Sequence, residues 1–346
     1  MKKFLVALVL VLLVASSASA AIRWRGVTHV MPGTEQQRIV EQFAETVERL
    51  SGGELIIEPF AAGVLFPVSE TFDNVAMGVV QVSFVYSGWW MGRDPAFALT
   101  SRLGCPVQTW SEGAYIEERL SFFYEALYER FGMRYLGHLI STSVPEQILS
   151  VVPINTLEDL RGLRFRAAGF PTRLYAELGA NVVSIAAPEI YTALQTRLID
   201  ALEYTMWAEH THMNLQEVTS YVVDSGLHVG PRENLPLVVN KAAWDALPEH
   251  LQYIVLVARD RARYQAAMVH IAEMRAREIW RANPNITITR FSPEEEATKR
   301  AIAQRIFMEF TKEIEGGQEL LEVYRTILWE LGYHEDAKNL GFVPEE

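Results

Sequence analysis

Short apolar runs alternate with helical patterns through most of the chain, and this alternation predicts an α/β fold. The first three apolar runs, residues 22–29, 55–59 and 81–85, read as strands. Residues 34–50 and 69–77, which lie between them, carry helical patterns. A β-α-β-α-β order of this kind is the start of a doubly wound layer.

A second layer of the same kind begins near residue 145. Residues 149–154, 163–167 and 181–185 read as strands, and residues 171–178 and 188–196 read as helices. Two such layers in one chain predict two lobes with a ligand cleft between them.

The longest helical pattern runs from residue 248 to about 281. At 1.5 Å per residue, one continuous helix of this length would measure about 50 Å, which is more than a single lobe requires. We therefore expect that this segment either bridges the two lobes or contains a break. The predicted division assigns 21–144 and about 233–265 to lobe 1, 145–232 and about 266–306 to lobe 2, and 307–346 to a C-terminal helical extension.

The first twenty residues read as a signal peptide that is cleaved after Ala20. Lys2 and Lys3 supply a positive start, residues 4–15 form an apolar run, and residues 18–20 form a small-x-small cleavage site. The alternative is a short membrane anchor, but the apolar run is too short for a stable span and no basic flank follows it. There is no cysteine near the cleavage site to carry a lipid. We therefore expect export into a periplasm.

The charge and composition of the mature chain restrict the classes of partner that it can bind. Cleavage leaves 326 of the 346 residues and, by removing Lys2 and Lys3, changes the formal net charge from −12 to −14. An acidic surface argues against nucleic acid or an anionic membrane as partner, and an anionic ligand then needs a local basic residue. No later apolar run reaches membrane-spanning length. The only cysteine, Cys105, permits no intrachain disulfide and reads as an inert buried thiol.

Motifs typical of enzymes are absent. The chain has no glycine-rich nucleotide loop, no G-x-S-x-G sequence and no H-E-x-x-H sequence. The close histidine pair His210 and His212, beside Glu209, permits a metal site, but residues two apart do not share a helix face. We therefore interpret this pair as a solvent-facing or interface cluster.

Two arginines and one glutamate are the polar candidates for a binding site. Arg164 and Arg166 point to one side of a predicted strand, where guanidinium groups suit a carboxylate; the alternative is a pair of surface arginines. Glu203 ends an apolar segment, where a carboxylate can pair with an arginine, cap a helix or bind a cation.

An aromatic cluster surrounds Gly88. Tyr86, Trp89 and Trp90 are core residues by default. Two adjacent tryptophans beside a glycine do not both bury easily on one face of the chain, however. We therefore expect at least one of them to line a surface or the cleft.

These motifs together resemble the periplasmic solute-binding subunits of tripartite ATP-independent periplasmic (TRAP) transporters, the DctP-like group. The blocks occur in order and at fitting spacing: Gly63-Val64-Leu65 with Glu70 and Gly78, TLEDLRGLRFR at 156–166, PEIYTALQT at 188–196, IDALE at 199–203 and NKAAWDALP at 240–248. The resemblance covers nearly the whole mature chain. It implies a two-lobed fold that closes on an organic acid, delivery of that acid to an ion-driven permease, and Arg166 as the residue that binds the ligand carboxylate.

A narrower resemblance concerns residues 86–99, which look like the branch that binds 2-oxo and 2-hydroxy monocarboxylates. That branch implies a metal ion between ligand and protein, with Glu203 as a ligand and the backbone carbonyl of the next residue, Tyr204, as another. Tyr204 stands where the branch has tryptophan. Gln147 is the nearest candidate for the glutamine ligand of the branch. An all-oxygen site of this kind suits Ca²⁺ or Na⁺, and no organic cofactor is expected.

The expected ligand contacts are therefore Arg166, Tyr86, Trp89, Trp90, Trp207 and Gln147. The segment from Trp207 to Asn214 departs from the family pattern at His210 and His212, which leaves the substrate open. The branch also forms dimers through C-terminal helices, for which residues 307–331 carry a suitable pattern. Two alternatives stay open: an exported enzyme that uses Glu203 as acid or base, and a sensory binding protein that docks on a receptor.

Overall fold

The computed structural model describes residues 20–100, 109–142, 147–224, 232–266 and 268–344. The signal-peptide residues 1–19 and Cys105 lie outside these ranges. In the described part of the chain, no helix is both long and apolar enough to cross a bilayer.

The described strands form two separate sheets. Their bounds are β1 Ile22–Thr28, β2 Leu55–Phe60, β3 Val82–Phe84, β4 Met133–Thr142, β5 Ile148–Ser150, β6 Arg164–Arg166, β7 Asn181–Val183, β8 Ala201–Glu203, β9 Tyr221–Val223, β10 Arg232–Asn240 and β11 Thr287–Thr289. The first sheet has the order β2-β1-β3-β10-β4 and the second β11-β9-β5-β8-β6-β7. Both sheets are mixed: β10 runs antiparallel to β3 and β4, and β5 runs antiparallel to β8 and β9.

Helices cover both sheets. Their bounds are α1 Glu35–Leu50, α2 Thr71–Ala76, α3 Trp110–Glu129, α4 Phe170–Glu177, α5 Ala187–Gln195, α6 Trp207–His212, α7 Lys241–Asp245, α8 Glu249–Ala266, α9 Val269–Ala282, α10 Pro293–Glu313, α11 Gly317–Glu330 and α12 His334–Asn339. The predicted α/β fold with two lobes is thus confirmed. We call the first sheet with its helices lobe 1 and the second sheet with its helices lobe 2.

Each lobe has its own apolar core. In lobe 1, Phe43 of α1 and Phe84 of β3 meet edge to face, and α8 covers the same side of the sheet. In lobe 2, Trp207 of α6 and Trp280 of α9 meet at a ring-centroid distance of 5.5 Å. Buried aromatic pairs of this kind add to the free energy of area burial, by about 0.5–1.5 kcal/mol per pair.

The long helical pattern bridges the lobes, but as two helices. Helix α8 ends at Ala266 and packs on lobe 1, whereas α9 begins at Val269 and packs on lobe 2. The predicted C-terminal extension, residues 307–346, contains the end of α10 and the helices α11 and α12. Their buried apolar side chains, including Leu320, Tyr324 and Leu328, pack with α3 in the core of lobe 1.

A buried ionic cluster fastens α8 to lobe 1. The carboxylate of Glu117 in α3 lies 3.0 Å from Nδ1 of His138 in β4, accepts a hydrogen bond from the His138 backbone N–H at 2.9 Å, and accepts another from Arg263 Nη2 in α8 at 2.9 Å. Burial raises the pKa of Glu117, but His138 and Arg263 lower it by more, so the pKa lies below its ordinary value.

We predict that Glu117→Gln destabilises the protein at neutral pH. The change leaves buried positive charge without its carboxylate, which costs about 3–5 kcal/mol, and we expect the melting temperature to fall by about 5–10 °C. The matched control is Glu118→Gln, because Glu118 is the next residue of α3 and is exposed.

The effect of Glu117→Gln should depend on pH in one direction. Because the folded-state pKa is lowered, the contribution of Glu117 is present above the unfolded-state pKa of about 4.3 and is lost as the pH falls through the folded-state value. Melting curves of wild type and variant should therefore converge in acid. A gap that stays constant from pH 7 down to pH 3 would contradict the charge-based explanation.

Candidate ligand-binding cleft

Adjacent strands bring the predicted arginine and glutamate together. Strands β6 and β8 pair in parallel with Arg166 opposite Leu202, so Arg166 lies next to Glu203 in the sheet. Both side chains are buried, with exposed fractions of 3% for Arg166 and 1% for Glu203. Charged side chains are rarely buried to this degree unless they are paired or serve a site.

Backbone carbonyls orient the guanidinium of Arg166. Its Nε donates to the carbonyl of Ile185 and its Nη1 to the carbonyl of Glu203, both at 2.9 Å. The Arg166 guanidinium carbon also lies 5.1 Å from the centre of the Tyr204 ring, in a cation–π contact. A guanidinium has five N–H donors in a fixed plane. The two backbone bonds use two of them and fix the orientation of that plane.

Arg164 lies on the same strand but has a different role. Its Nε and backbone N–H both donate to Oδ2 of Asp200 at 2.9 Å, and its Nη2 donates to Oδ1 at 2.5 Å. This hydrogen bonding lowers the pKa of Asp200 and raises that of Arg164. The Arg164 side chain is about half exposed. Of the two candidate arginines, Arg164 is thus the partner of a surface carboxylate.

Gln147 lies immediately before β5, beside the end of β8. Ile148 is opposite Glu203 in an antiparallel pair, and therefore Gln147 lies at the level of Tyr204. Its side chain is fully buried. The described residues contain no group of three or more His, Cys, Asp or Glu side chains that could hold a metal ion. A cation here would use one carboxylate together with amide and carbonyl oxygens, a donor set that fits Ca²⁺ or Na⁺.

Tyr86 forms a contact between the lobes. It follows β3 in lobe 1, and its ring packs over Gly169, which precedes α4 in lobe 2. A Cβ atom at Gly169 would lie 2.5 Å from the Tyr86 hydroxyl oxygen, and the φ of Gly169 is +67°. Both the backbone conformation and the close approach therefore require glycine at this position.

Polar contacts also join the β1–α1 segment of lobe 1 to the β8–α6 segment of lobe 2. The Gln36 amide donates to the Thr205 hydroxyl at 3.2 Å, and the Gln36 backbone N–H donates to the Glu209 carboxylate at 3.3 Å. The Nε2 atom of His212 donates to the Pro32 carbonyl at 3.0 Å. This segment of lobe 2 contains His210 and His212, so His212 is an interface residue.

The predicted tryptophans have core contacts. Trp90 is buried and packs against Phe72, and Trp89 is partly buried against the same cluster. Trp207 is buried against Trp280. A ligand contact for these three residues stays a prediction.

Several cleft residues were missed by sequence reasoning: Gln36, Gly169, Thr205 and the Ile185 carbonyl. The Gly169-Phe170-Pro171 sequence does carry a local signal, because glycine followed by proline at a helix start indicates a tight turn. The others join residues that are far apart in the sequence, and no local pattern marks them.

The sequence profile of the bacterial extracellular solute-binding protein family 7 (DctP) matches residues 27–313. The chain belongs to this family, whose members bind solutes for transport and are not enzymes. The Ser-Gly-Trp-Trp segment, the strand with Arg166 and the strand with Glu203 all lie within the matched range.

Among curated proteins, the chain is similar to a monocarboxylate 2-oxoacid-binding periplasmic protein from Nostoc sp. (strain PCC 7120). The two are 26% identical over 238 residues, which cover 68% of this chain and 65% of the Nostoc protein. The match thus spans somewhat less than two thirds of that relative.

Among solved structures, the fold is similar to that of a TRAP solute-binding protein from Colwellia psychrerythraea with bound calcium and pyruvate (TM-score 0.82, 22% identity, 90% of this chain and 96% of that chain). An apo open TRAP solute-binding protein from Rhodobacter sphaeroides gives a TM-score of 0.64 at 27% identity, over 90% of this chain and 98% of that one. Both similarities are similarities of fold over about nine tenths of this chain.

Proposed function

We propose that the protein is the solute-binding subunit of a TRAP transporter, and that it binds a small monocarboxylate and delivers it to an ion-driven permease. The observation that carries this proposal is the buried guanidinium of Arg166, which donates to two backbone carbonyls at 2.9 Å, on a strand three residues before the Gly169 that contacts lobe 1. A fixed, desolvated guanidinium binds a carboxylate through two parallel hydrogen bonds. The predicted signal peptide would direct this function to the periplasm.

Charge balance in the cleft favours a bound cation. Arg166, Glu203 and Glu209 are all buried and together carry one net negative charge, so a ligand carboxylate would leave two buried negative charges. Unbalanced charge away from water is energetically costly. A Na⁺ ion would halve that charge and a Ca²⁺ ion would neutralise it, which makes the binding of ligand and of cation mutually dependent.

The residues that would hold this cation are Glu203, Gln147 and the carbonyl of Tyr204. When bound, the ion would supply positive charge and be coordinated by oxygen atoms of the ligand. A 2-oxo or 2-hydroxy acid offers a second oxygen beside its carboxylate, which suits a hard cation. The ligands of two similar proteins, a 2-oxoacid for the Nostoc protein and pyruvate with calcium for the Colwellia protein, support this class.

We predict that Arg166→Lys weakens binding of pyruvate at least about tenfold, because lysine keeps the charge but loses the planar pair of donors. Isothermal titration calorimetry measures the affinity, and circular dichroism confirms the fold. Arg164→Lys is the matched control on the same strand and should bind like wild type. Pyruvamide, which has the same shape without the charge, should not bind. Equal affinity of the Arg166 and Arg164 variants for pyruvate would refute the assignment.

Glu203→Gln should remove the dependence of binding on a cation. In buffer stripped of divalent ions, we expect added Ca²⁺ or Na⁺ to raise the pyruvate affinity of the wild type but not that of the variant. Glu189→Gln, an exposed carboxylate change in lobe 2, should behave like wild type. If chelator, Ca²⁺ and Na⁺ leave the wild-type affinity unchanged, Glu203 has a structural role only.

Closure should fail in Gly169→Ala, because the new methyl group would overlap the Tyr86 hydroxyl. With pyruvate added, small-angle X-ray scattering should show a larger radius of gyration than for wild type, and the affinity should fall at least about tenfold, in line with overpacking costs of about 1–3 kcal/mol. Gly162→Ala is the control, since its φ is +77° but its Cβ would meet no atom within 4 Å. Identical scattering and affinity for the two variants would rule out the Tyr86–Gly169 contact as a condition of closure.

A further inference from the structure

His210 is a buried histidine close to the proposed cation site. It belongs to α6, and its exposed fraction is 0%, so it does not face solvent. Its ring centroid lies 6.2 Å from that of Tyr204 and 6.2 Å from that of Trp280. An imidazole carries two polar nitrogen atoms, and removing them from water is costly unless they form hydrogen bonds. The hydrogen bonds of His210 are therefore the key to its role.

His210 accepts a hydrogen bond from the backbone of the strand end that carries the proposed cation ligands. The Thr205 N–H donates to Nε2 of His210, with an N–N distance of 3.4 Å. This N–H belongs to the same peptide unit as the carbonyl of Tyr204. The peptide bond between Tyr204 and Thr205 is trans, so its C=O and N–H point in opposite directions within one rigid plane. A group that holds the Thr205 N–H therefore also sets the direction of the Tyr204 carbonyl.

The helix that carries His210 is itself held in place. The Glu273 carboxylate of α9 accepts hydrogen bonds from the first two backbone N–H groups of α6, at 2.9 Å and 2.8 Å. The Trp280 indole, also in α9, donates to the Thr211 hydroxyl of α6 at 2.8 Å. These bonds fix α6 to α9 on both sides of His210. The Nε2 atom of His210 is thus an acceptor with a defined position in lobe 2.

The neighbouring groups of the same segment have other partners. The Glu203 carbonyl accepts a hydrogen bond from Arg166 Nη1 at 2.9 Å, and the Thr205 hydroxyl accepts one from the Gln36 amide of lobe 1 at 3.2 Å. The bond to His210 is the one that acts on the peptide unit with the Tyr204 carbonyl. Metal ligands in proteins are commonly oriented by a second partner of this kind, and loss of that partner weakens the metal site.

We propose that His210 is a positioning residue, which orients the Tyr204 carbonyl as a ligand of the cation that Glu203 and Gln147 would hold. The inference rests on the cation site of the proposed function. A histidine that only fills space in lobe 2 could be replaced by an apolar side chain without any effect on the cation. A histidine that serves as a hydrogen-bond acceptor could be replaced only by another acceptor that reaches the Thr205 N–H.

Titration of the mature chain with Tb³⁺, a luminescent hard cation that replaces Ca²⁺ in oxygen sites, tests the proposal. The emission that Glu203→Gln removes belongs to the site. We expect His210→Leu to lower the Tb³⁺ affinity of the site at least about tenfold. Emission lifetimes in H₂O and D₂O should show about one more water on the ion, because water replaces the lost carbonyl. His210→Gln, whose amide oxygen takes the place of Nε2, should restore both values.

Pyruvate titration separates positioning from general damage to the cleft. Without Ca²⁺ or Na⁺, His210→Leu and wild type should bind pyruvate equally, since Arg166 keeps its two carbonyl partners. Added Ca²⁺ should raise the affinity of wild type and His210→Gln at least about tenfold more than that of His210→Leu. His250→Leu, at an exposed histidine of lobe 1, is the control and should behave like wild type throughout.

The outcomes separate this proposal from the cation site on which it rests. A wild type without any Glu203-dependent emission would contradict the cation site, and the role of His210 with it. If that emission is present, a folded His210→Leu variant with unchanged affinity and unchanged hydration overturns the positioning role alone. So does a His210→Gln variant as impaired as His210→Leu.

Melting curves show whether each variant is folded. If His210→Leu does not fold, His210→Asn takes its place, because the shorter asparagine amide lies at the level of Nδ1 and does not reach the Thr205 N–H. We then expect His210→Asn to bind Tb³⁺ at least about tenfold more weakly than His210→Gln. Equal affinity of these two variants overturns the proposal.

Discussion

The cleft depends on burying a guanidinium and a carboxylate side by side. Removing either charge from water costs several kcal/mol, and the loss is offset only when hydrogen bonds are made in good geometry. Arg166 meets this condition through the carbonyls of Ile185 and Glu203. The strand order β5-β8-β6 makes it possible, because it sets Gln147, Glu203 and Arg166 on three neighbouring strands although the residues are far apart in the sequence.

The two lobes share apolar as well as polar contacts. Inside the lobes, apolar cores and the Glu117 cluster fix α8, while the Glu273 carboxylate accepts hydrogen bonds from the backbone N–H groups of Trp207 and Ala208 and fixes α9 to α6. Between the lobes, the described contacts include several polar bonds and the Tyr86–Gly169 contact. In addition, Met206, Phe170 and Leu174 of lobe 2 pack in the apolar clusters of lobe 1. The closed arrangement is therefore stabilised by apolar burial as well as by hydrogen bonds, which exchange with water at small net cost.

Much of the fold was predictable from the sequence. The alternation of strands and helices, and its repetition in two layers, can be recognised from the local periodicity of apolar residues. A break in the long helical pattern was one of two expectations from its length, but its position between α8 and α9 was not predictable, since residues 249–282 contain neither glycine nor proline. The site was accessible through the resemblance, which selected Arg166 and Glu203. Spacing alone could not separate Arg164 from Arg166. The two arginines differ in role because Asp200, which lies 36 residues further along the chain, accepts hydrogen bonds from Arg164.

The two bridging helices couple their outer surface to closure of the cleft. Helix α8 packs on lobe 1 and α9 on lobe 2, so the angle between the two helices depends on the angle between the lobes. A partner that binds one of these angles better than another stabilises that angle. By reciprocity, a ligand that shifts the angle shifts the binding of such a partner by the same free energy. Contacts at the surface of the bridging helices and contacts in the cleft would thus act on one shared coordinate, although no side chain belongs to both.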